Sequence, residues 1–83
     1  MNDLERKFSN VNPPIHFTNW VIKNLKMCFS RDSIIEASES NKKFHPEDAD
    51  LFNNLINEMY LFSHSEVLNY YNELSSENVL ANN

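Results

Sequence analysis

Apolar side chains recur at helical spacing near the start of this chain. Over residues 16–29, five of them fall on one helical face at intervals of three to four residues or their multiples: Phe17, Val21, Leu25, Cys28 and Phe29. Lys23, Lys26 and the following Arg31 lie toward the C-terminal end of this stretch, where cations suit the negative end of the helix dipole. The pattern predicts a helix over about 16–29.

A second stretch, residues 46–62, has a wider apolar face. A surface helix needs a stripe of about 100°, whereas the apolar residues here span about 180° of the helical wheel. They are Ala49, Leu51, Phe52, Leu55, Ile56, Met59, Tyr60 and Phe62. This helix is expected to be central to the domain or shared with a partner.

Acidic residues crowd the start of the second stretch. Pro46 is followed by Glu47, Asp48 and Asp50. Proline is favoured at the first helical position, and acids in the first turn complement the positive helix end. We interpret the cluster as a helix start with His45 as a mediocre cap. An ion or ligand site is the alternative that stays open.

Two further helices are indicated by capping residues. Ser30 or Asp32 can begin a short helix through Ile34, Ile35 and Ala37, which the serines and Asn41 should end. Ser63 with Glu66 three residues later matches a capping box, with Ser65 as a rival cap. The face of this last helix is formed by Val67, Tyr70, Tyr71 and Leu74.

These elements predict an all-α fold, a small compact bundle of three to five helices joined by short loops. The 83 residues favour a single domain over 1–83. We divide it into an N-terminal arm (1–15), a helical core (16–76) and a frayed tail (77–83).

Composition narrows the function classes. Glycine is absent, which argues against the glycine-rich phosphate loops of nucleotide-binding proteins. A single cysteine and no signal-peptide pattern favour a cytoplasmic location. The longest apolar run, 59–62, is far shorter than the ~20 residues of a membrane span, so we expect no membrane insertion.

Charge is distributed unevenly. Residues 1–43 contain all seven Lys and Arg with five acids, giving +2, whereas residues 44–83 contain seven acids and no Lys or Arg, giving −7. Duplex DNA would be repelled by the second half. We therefore expect no direct nucleic-acid partner.

Candidate chemical groups are scattered. His16, His45, His64 and Cys28 lack the close pairs that fix a zinc half-site. Cys28 lies on the predicted core face, where a nucleophile would be hidden. We expect no metal, no cofactor and no catalytic residue, and hence no enzyme.

Aromatic and methionine residues favour an interaction surface. Trp20 and Met27 form a second apolar strip beside the core face of their helix, and Trp, Tyr and Met are enriched at interfaces. We assign partner binding to Trp20, Met27, Tyr60 and Phe62 as anchors, and to Glu58, Glu66 and Glu73 as a steering acidic surface. The alternative is that Phe8, Val11 and Ile15 of the arm cover Trp20.

The length, the absence of glycine, fourteen asparagines and the opening MNDLERKFSNVNPPIHF together give a resemblance to small cytoplasmic proteins of T4-like bacteriophages. The chain most resembles lysis-inhibition accessory proteins of the cytoplasmic antiholin type. The resemblance implies a non-enzymatic protein that acts at the cytoplasmic side of the phage holin and, with a periplasmic antiholin, delays the lethal membrane hole. No motif transfers individual residues.

The function favoured by the sequence is therefore protein-binding regulation, with a holin cytoplasmic segment held by helix-in-groove recognition as the suspected partner. Two alternatives are an acidic inhibitor of a host nucleic-acid enzyme, acting as a DNA mimic, and a small transcription regulator. Whether the chain forms a homo-oligomer stays open.

Overall fold

The fold consists of helices joined by short connections. The computed structural model describes residues 13–27 and 29–81, with side chains up to residue 76. Its elements are α1 (Ile15–Lys26), α2 (Arg31–Phe44), a 3-10 turn (Pro46–Asp48), α3 (Ala49–Leu61) and α4 (His64–Ala81). This part of the chain contains no strand, and the predicted all-α bundle is confirmed. The predictions for Cys28 and for residues 1–12 of the arm lie outside the described residues.

The helices pack as two pairs, α1 along α4 and α2 along α3. An aromatic contact joins the pairs: Phe17 of α1 meets Phe52 of α3 edge-on with 5.1 Å between ring centroids. Within the first pair, Phe17 also meets Tyr71 of α4 at 6.2 Å. Arg31 at the start of α2 donates a hydrogen bond to the carbonyl oxygen of Phe62, just after α3. Helices α2 and α3 therefore run in opposite directions, and the start of α2 lies at the same end of the bundle as the end of α3.

Helix α1 carries the predicted core face. Phe17, Val21 and Leu25 are buried, but the helix ends at Lys26 rather than at residue 29. The backbone N–H of Met27 closes it by donating to the carbonyl oxygen of Lys23. Phe29 lies beyond the helix and still packs against the core. Its apolar character therefore serves packing outside the helix rather than the helical face that the sequence predicted.

The prediction that α2 is short and ends at its serines and Asn41 was wrong. The helix continues to Phe44. Ser38 is fully buried one turn after buried Ile34, so a small polar residue belongs to the face that packs on α3. The Asn41 side chain donates 2.8 Å to the carbonyl oxygen of Ala37 within the helix. Packing and this internal bond outweigh the weak helix preference of Ser and Asn.

Ser30 provides the N-cap of α2. Its hydroxyl oxygen accepts a hydrogen bond from the Ser33 backbone N–H at 3.2 Å. Of the two predicted caps, Ser30 and Asp32, the N-cap is therefore Ser30.

Ser30→Ala should lower the free energy of unfolding by about 1 kcal/mol because the Ser33 N–H loses its partner. Urea denaturation followed by circular dichroism measures the change. Ser40→Ala, an exposed serine inside the same helix, is the matched control, and an equal loss in both variants would contradict the capping role.

The acidic stretch before α3 does begin a helix, in two steps. Pro46 occupies the first turn of a 3-10 segment, and the α-helix proper begins at Ala49. His45 makes no capping hydrogen bond with its side chain. Phe52, Leu55 and Met59 of α3 are buried, whereas Tyr60, on the same wide apolar face, is exposed.

The predicted capping box at the start of α4 is confirmed. The Ser63 backbone N–H donates to Glu66 Oε1 at 2.9 Å, and the Glu66 backbone N–H donates to Ser63 Oγ at 3.2 Å. Hydrogen bonding from Ser63, first from its backbone N–H and then from its hydroxyl, lowers the pKa of the Glu66 carboxyl. Helix α4 extends to Ala81, beyond residue 76, where the sequence placed the end of the helical core.

The described helices are amphipathic rather than uniformly apolar. Within residues 13–27 and 29–81, none combines the length and the apolar character that crossing a bilayer requires.

Candidate partner-binding surface

The anchor residues chosen from the sequence lie at two different places. Trp20 is half-buried and meets Phe52 edge-on, with 5.2 Å between ring centroids. The other three anchors lie elsewhere: Met27 directly follows α1, and Tyr60 and Phe62 lie at the end of α3. Phe62 is half-buried and packs against the core. Trp20 therefore serves partly as core.

Large exposed apolar side chains occur where Arg31 brings the start of α2 to the end of α3. Met27, Tyr60 and Leu61 are 57%, 65% and 57% exposed. Met27 precedes Arg31 by four residues, and Arg31 donates to the carbonyl oxygen of Phe62 at 3.3 Å. We call these three residues the apolar end. Leu61 was not among the partner-binding residues predicted from the sequence.

Glu58 does not belong to an acidic surface, which corrects the sequence-based assignment. Its side chain lies between helices with 3% exposure, and the Tyr71 hydroxyl donates to its Oε1 at 2.8 Å. Burial raises the pKa of the Glu58 carboxyl to about 7, although the bond from Tyr71 opposes the rise. Glu58 neither steers a partner nor contributes to a phosphate-like array of charges.

The two other predicted acidic residues are on the surface. Glu66 and Glu73 are exposed on α4, Glu66 within the capping box and Glu73 about two turns later. Their exposure is compatible with the predicted steering role, which stays a prediction.

A cleft opens where the start of α1 meets the end of α2 and the 3-10 turn. Its volume is about 230 Å³. The apolar wall consists of the rings of Phe17, Trp20 and Phe52. We call it the histidine cleft, after the two histidines on its rim.

The rim of the histidine cleft is polar: His16, Asn41, His45, Glu47 and Asp48. His16 Nε2 lies 3.1 Å from Asp48 Oδ2, and His45 Nδ1 lies 3.4 Å from Glu47 Oε1. Each histidine thus faces a carboxylate from the 3-10 turn. The rim carries two formal negative charges, and no lysine or arginine of the described segments lines it.

These side chains do not form a metal centre. Among the described residues, no group of three or more His, Cys, Asp or Glu is arranged to hold a metal ion. The two histidines are directed to separate carboxylates, whereas a tetrahedral zinc site needs its ligands to converge on one point.

Sequence reasoning found parts of the histidine cleft without assembling it. Glu47 and Asp48 stood out as a helix start with a ligand site as the alternative. Asn41 was read as a helix breaker, and its place on the rim follows from the unpredicted length of α2. His16 and Asp48 are 32 residues apart, so no local pattern connects them.

Comparison with known proteins gives no assignment. No family model, curated protein or solved structure matches this chain. The all-helical fold and the geometry of its surfaces are therefore the basis for the functional proposal.

Proposed function

We propose that this protein is a non-enzymatic regulator that binds a segment of a partner protein through the apolar end. The observation that carries the proposal is the exposure of Met27, Tyr60 and Leu61, each by more than half, at the same end of the bundle. Single exposed apolar residues are ordinary, but a group of them is typical of interaction sites. Tyrosine and methionine are also enriched where proteins meet.

The resemblance to cytoplasmic antiholin-type proteins suggests the partner, a cytoplasmic segment of a phage holin. In this proposal the apolar end covers apolar side chains of that segment and delays assembly of the membrane hole. Glu66 and Glu73 favour a segment with basic residues, since opposite charges raise the rate of association more than the affinity. The partner is bound from the host cytoplasm without insertion of this chain into the membrane.

Leu61→Ser tests the proposal. If Leu61 is a central anchor, the substitution should weaken partner binding by about 2 kcal/mol, or roughly 30-fold. Tagged protein would be incubated with detergent-solubilised membranes from cells infected with a T4-like phage, and bound holin would be quantified by mass spectrometry. The affinity would then be measured with a synthetic peptide of the holin cytoplasmic segment.

Phe44→Ser is the matched control because Phe44 is 78% exposed at the end of α2, opposite the apolar end, and does not line the histidine cleft. It should retain wild-type binding. Holin recovery that is equal with wild type and folded Leu61→Ser would refute the apolar end as the site. Recovery of a soluble nucleic-acid enzyme in place of holin would refute the holin as the partner. Trp20→Ala is less suitable, since it removes a ring that packs on Phe52.

A further inference from the structure

We propose that the histidine cleft is a subsite for an arginine side chain of the partner segment. The inference rests on the proposed function in one respect, that the ligand is a protein segment. It goes beyond the proposed function by specifying that the segment contains an arginine, and that this arginine binds at a second site, separate from the apolar end.

The polar groups of the rim are suited to a ligand that donates hydrogen bonds. The carboxylates of Glu47 and Asp48 can only accept, and together they carry two negative charges. Asn41 uses an amide N–H on the carbonyl oxygen of Ala37, which orients its side chain and leaves its own Oδ1 as an acceptor. A guanidinium group has five donors, no acceptor and a permanent positive charge.

His16 and His45 each lie against one rim carboxylate, and no lysine or arginine of the described residues lines the cleft. Lys42 is held by Asn53 Oδ1 at 2.8 Å and Glu39 at 3.2 Å. Lys43 follows it and does not line the cleft. A partner arginine would therefore supply a permanent positive charge, which none of the lining residues carries.

The wall of the cleft suits a planar cation. Trp20 contributes the half-exposed ring of this wall, and Phe17 and Phe52, only 1% and 4% exposed, lie behind it. Arginine stacks on such rings and is more weakly hydrated than lysine, so it loses less on entering the cleft. The aliphatic part of the side chain would pack on the exposed part of the Trp20 ring.

The size of the cleft suits a single side chain better than a drug-sized ligand. Pockets for drug-sized molecules and cofactors measure roughly 300–1,000 Å³, whereas this cleft measures about 230 Å³. A single long side chain is of the right scale. An entire helix of a partner is not, so the cleft would accept one residue of a segment that continues over the surface.

Trp20 provides a direct probe because it is the single tryptophan of the chain. Its indole N–H gives a separate NMR signal, which would be followed while the full-length protein is titrated with acetyl-Ala-Arg-Ala-amide. The matched peptides have lysine, citrulline or glutamate at the centre. We expect saturable shifts with arginine, weaker binding with lysine, and none with citrulline, which keeps the shape but lacks the charge, or with glutamate.

Glu47→Gln removes one rim charge without disturbing a buried group, since Glu47 is mostly exposed. It should weaken the arginine peptide by about tenfold, the cost of losing a charged hydrogen-bond partner. Asp48→Asn should act in the same direction. Glu73→Gln makes the same charge change on α4, away from the cleft, and should leave the affinity unchanged.

Equal binding of the arginine and citrulline peptides, or equal losses in Glu47→Gln and Glu73→Gln, would overturn the subsite. Absence of any shift at Trp20 would do so as well. These outcomes are independent of the apolar end: holin capture that depends on Leu61 but not on Glu47 would leave the proposed function intact and remove only the arginine subsite.

Discussion

Phe52→Ala should lower the free energy of unfolding by about 3–5 kcal/mol, the usual cost of removing a buried aromatic ring. Phe52 is buried in α3, and its ring meets both Phe17 and Trp20 of α1. It therefore joins the two helix pairs. A domain of this size has total stability near the lower end of the ~5–15 kcal/mol range, so a large fraction of the variant should be unfolded.

Phe44→Ala is the matched control because it deletes the same atoms from a residue that is 78% exposed. Its effect should stay within about 0.5 kcal/mol. Urea denaturation followed by far-UV circular dichroism would give both values. Similar losses in the two variants would mean that Phe52 is not the residue that links the pairs. The histidine cleft should disappear together with the Phe52 ring, and the Trp20 indole signal should move toward its position in the unfolded chain.

The stability of the bundle should fall as pH rises from 4.5 to about 7, because of Glu58. Burial raises the pKa of its carboxyl from 4.5 to about 7. Between these values the folded chain holds a proton that the unfolded chain has released, so raising the pH favours unfolding. The contribution is complete below pH 4.5 and is lost above about pH 7, with a total of about 3 kcal/mol.

Glu58→Gln should remove this dependence. Glutamine stays neutral and can still accept the hydrogen bond from Tyr71, so the variant should be more stable than wild type at pH 8 and similar to it at pH 4.5. Denaturant titrations across this pH range measure the slope. Tyr71→Phe should extend the decline to higher pH, since it removes the hydrogen bond that lowers the Glu58 pKa. A Glu58→Gln profile as steep as the wild-type profile would assign the effect to other groups.

The capping residues show which features could be predicted locally. Ser63 and Glu66 lie three residues apart, and both hydrogen bonds of their capping box form within one turn. The core face of α1 was equally predictable, because Phe17, Val21 and Leu25 repeat at the period of a helix and bury one side of it. Interactions of this kind depend on sequence spacing alone.

The misassigned residues are polar ones whose surroundings come from other helices. Ser38 resembled a helix breaker, and its burial against α3 became evident only when α2 and α3 were placed together. Glu58 resembled a surface charge, since acids are seldom fully buried unless paired. The hydrogen bond from Tyr71, 13 residues away, provides the missing partner.

The sequence by itself determined the helical class, the helix starts and most of the apolar core, because helix periodicity and capping act over three to four residues. It also showed that the second half of the chain is acidic. Tertiary structure decided that Glu58 is buried, that Trp20 belongs partly to the core, and that Met27 shares one end of the bundle with Leu61. It also brought His16, at the start of α1, next to Asp48, at the end of the 3-10 turn. Such contacts join residues tens of positions apart, and only the packing of helices fixes them.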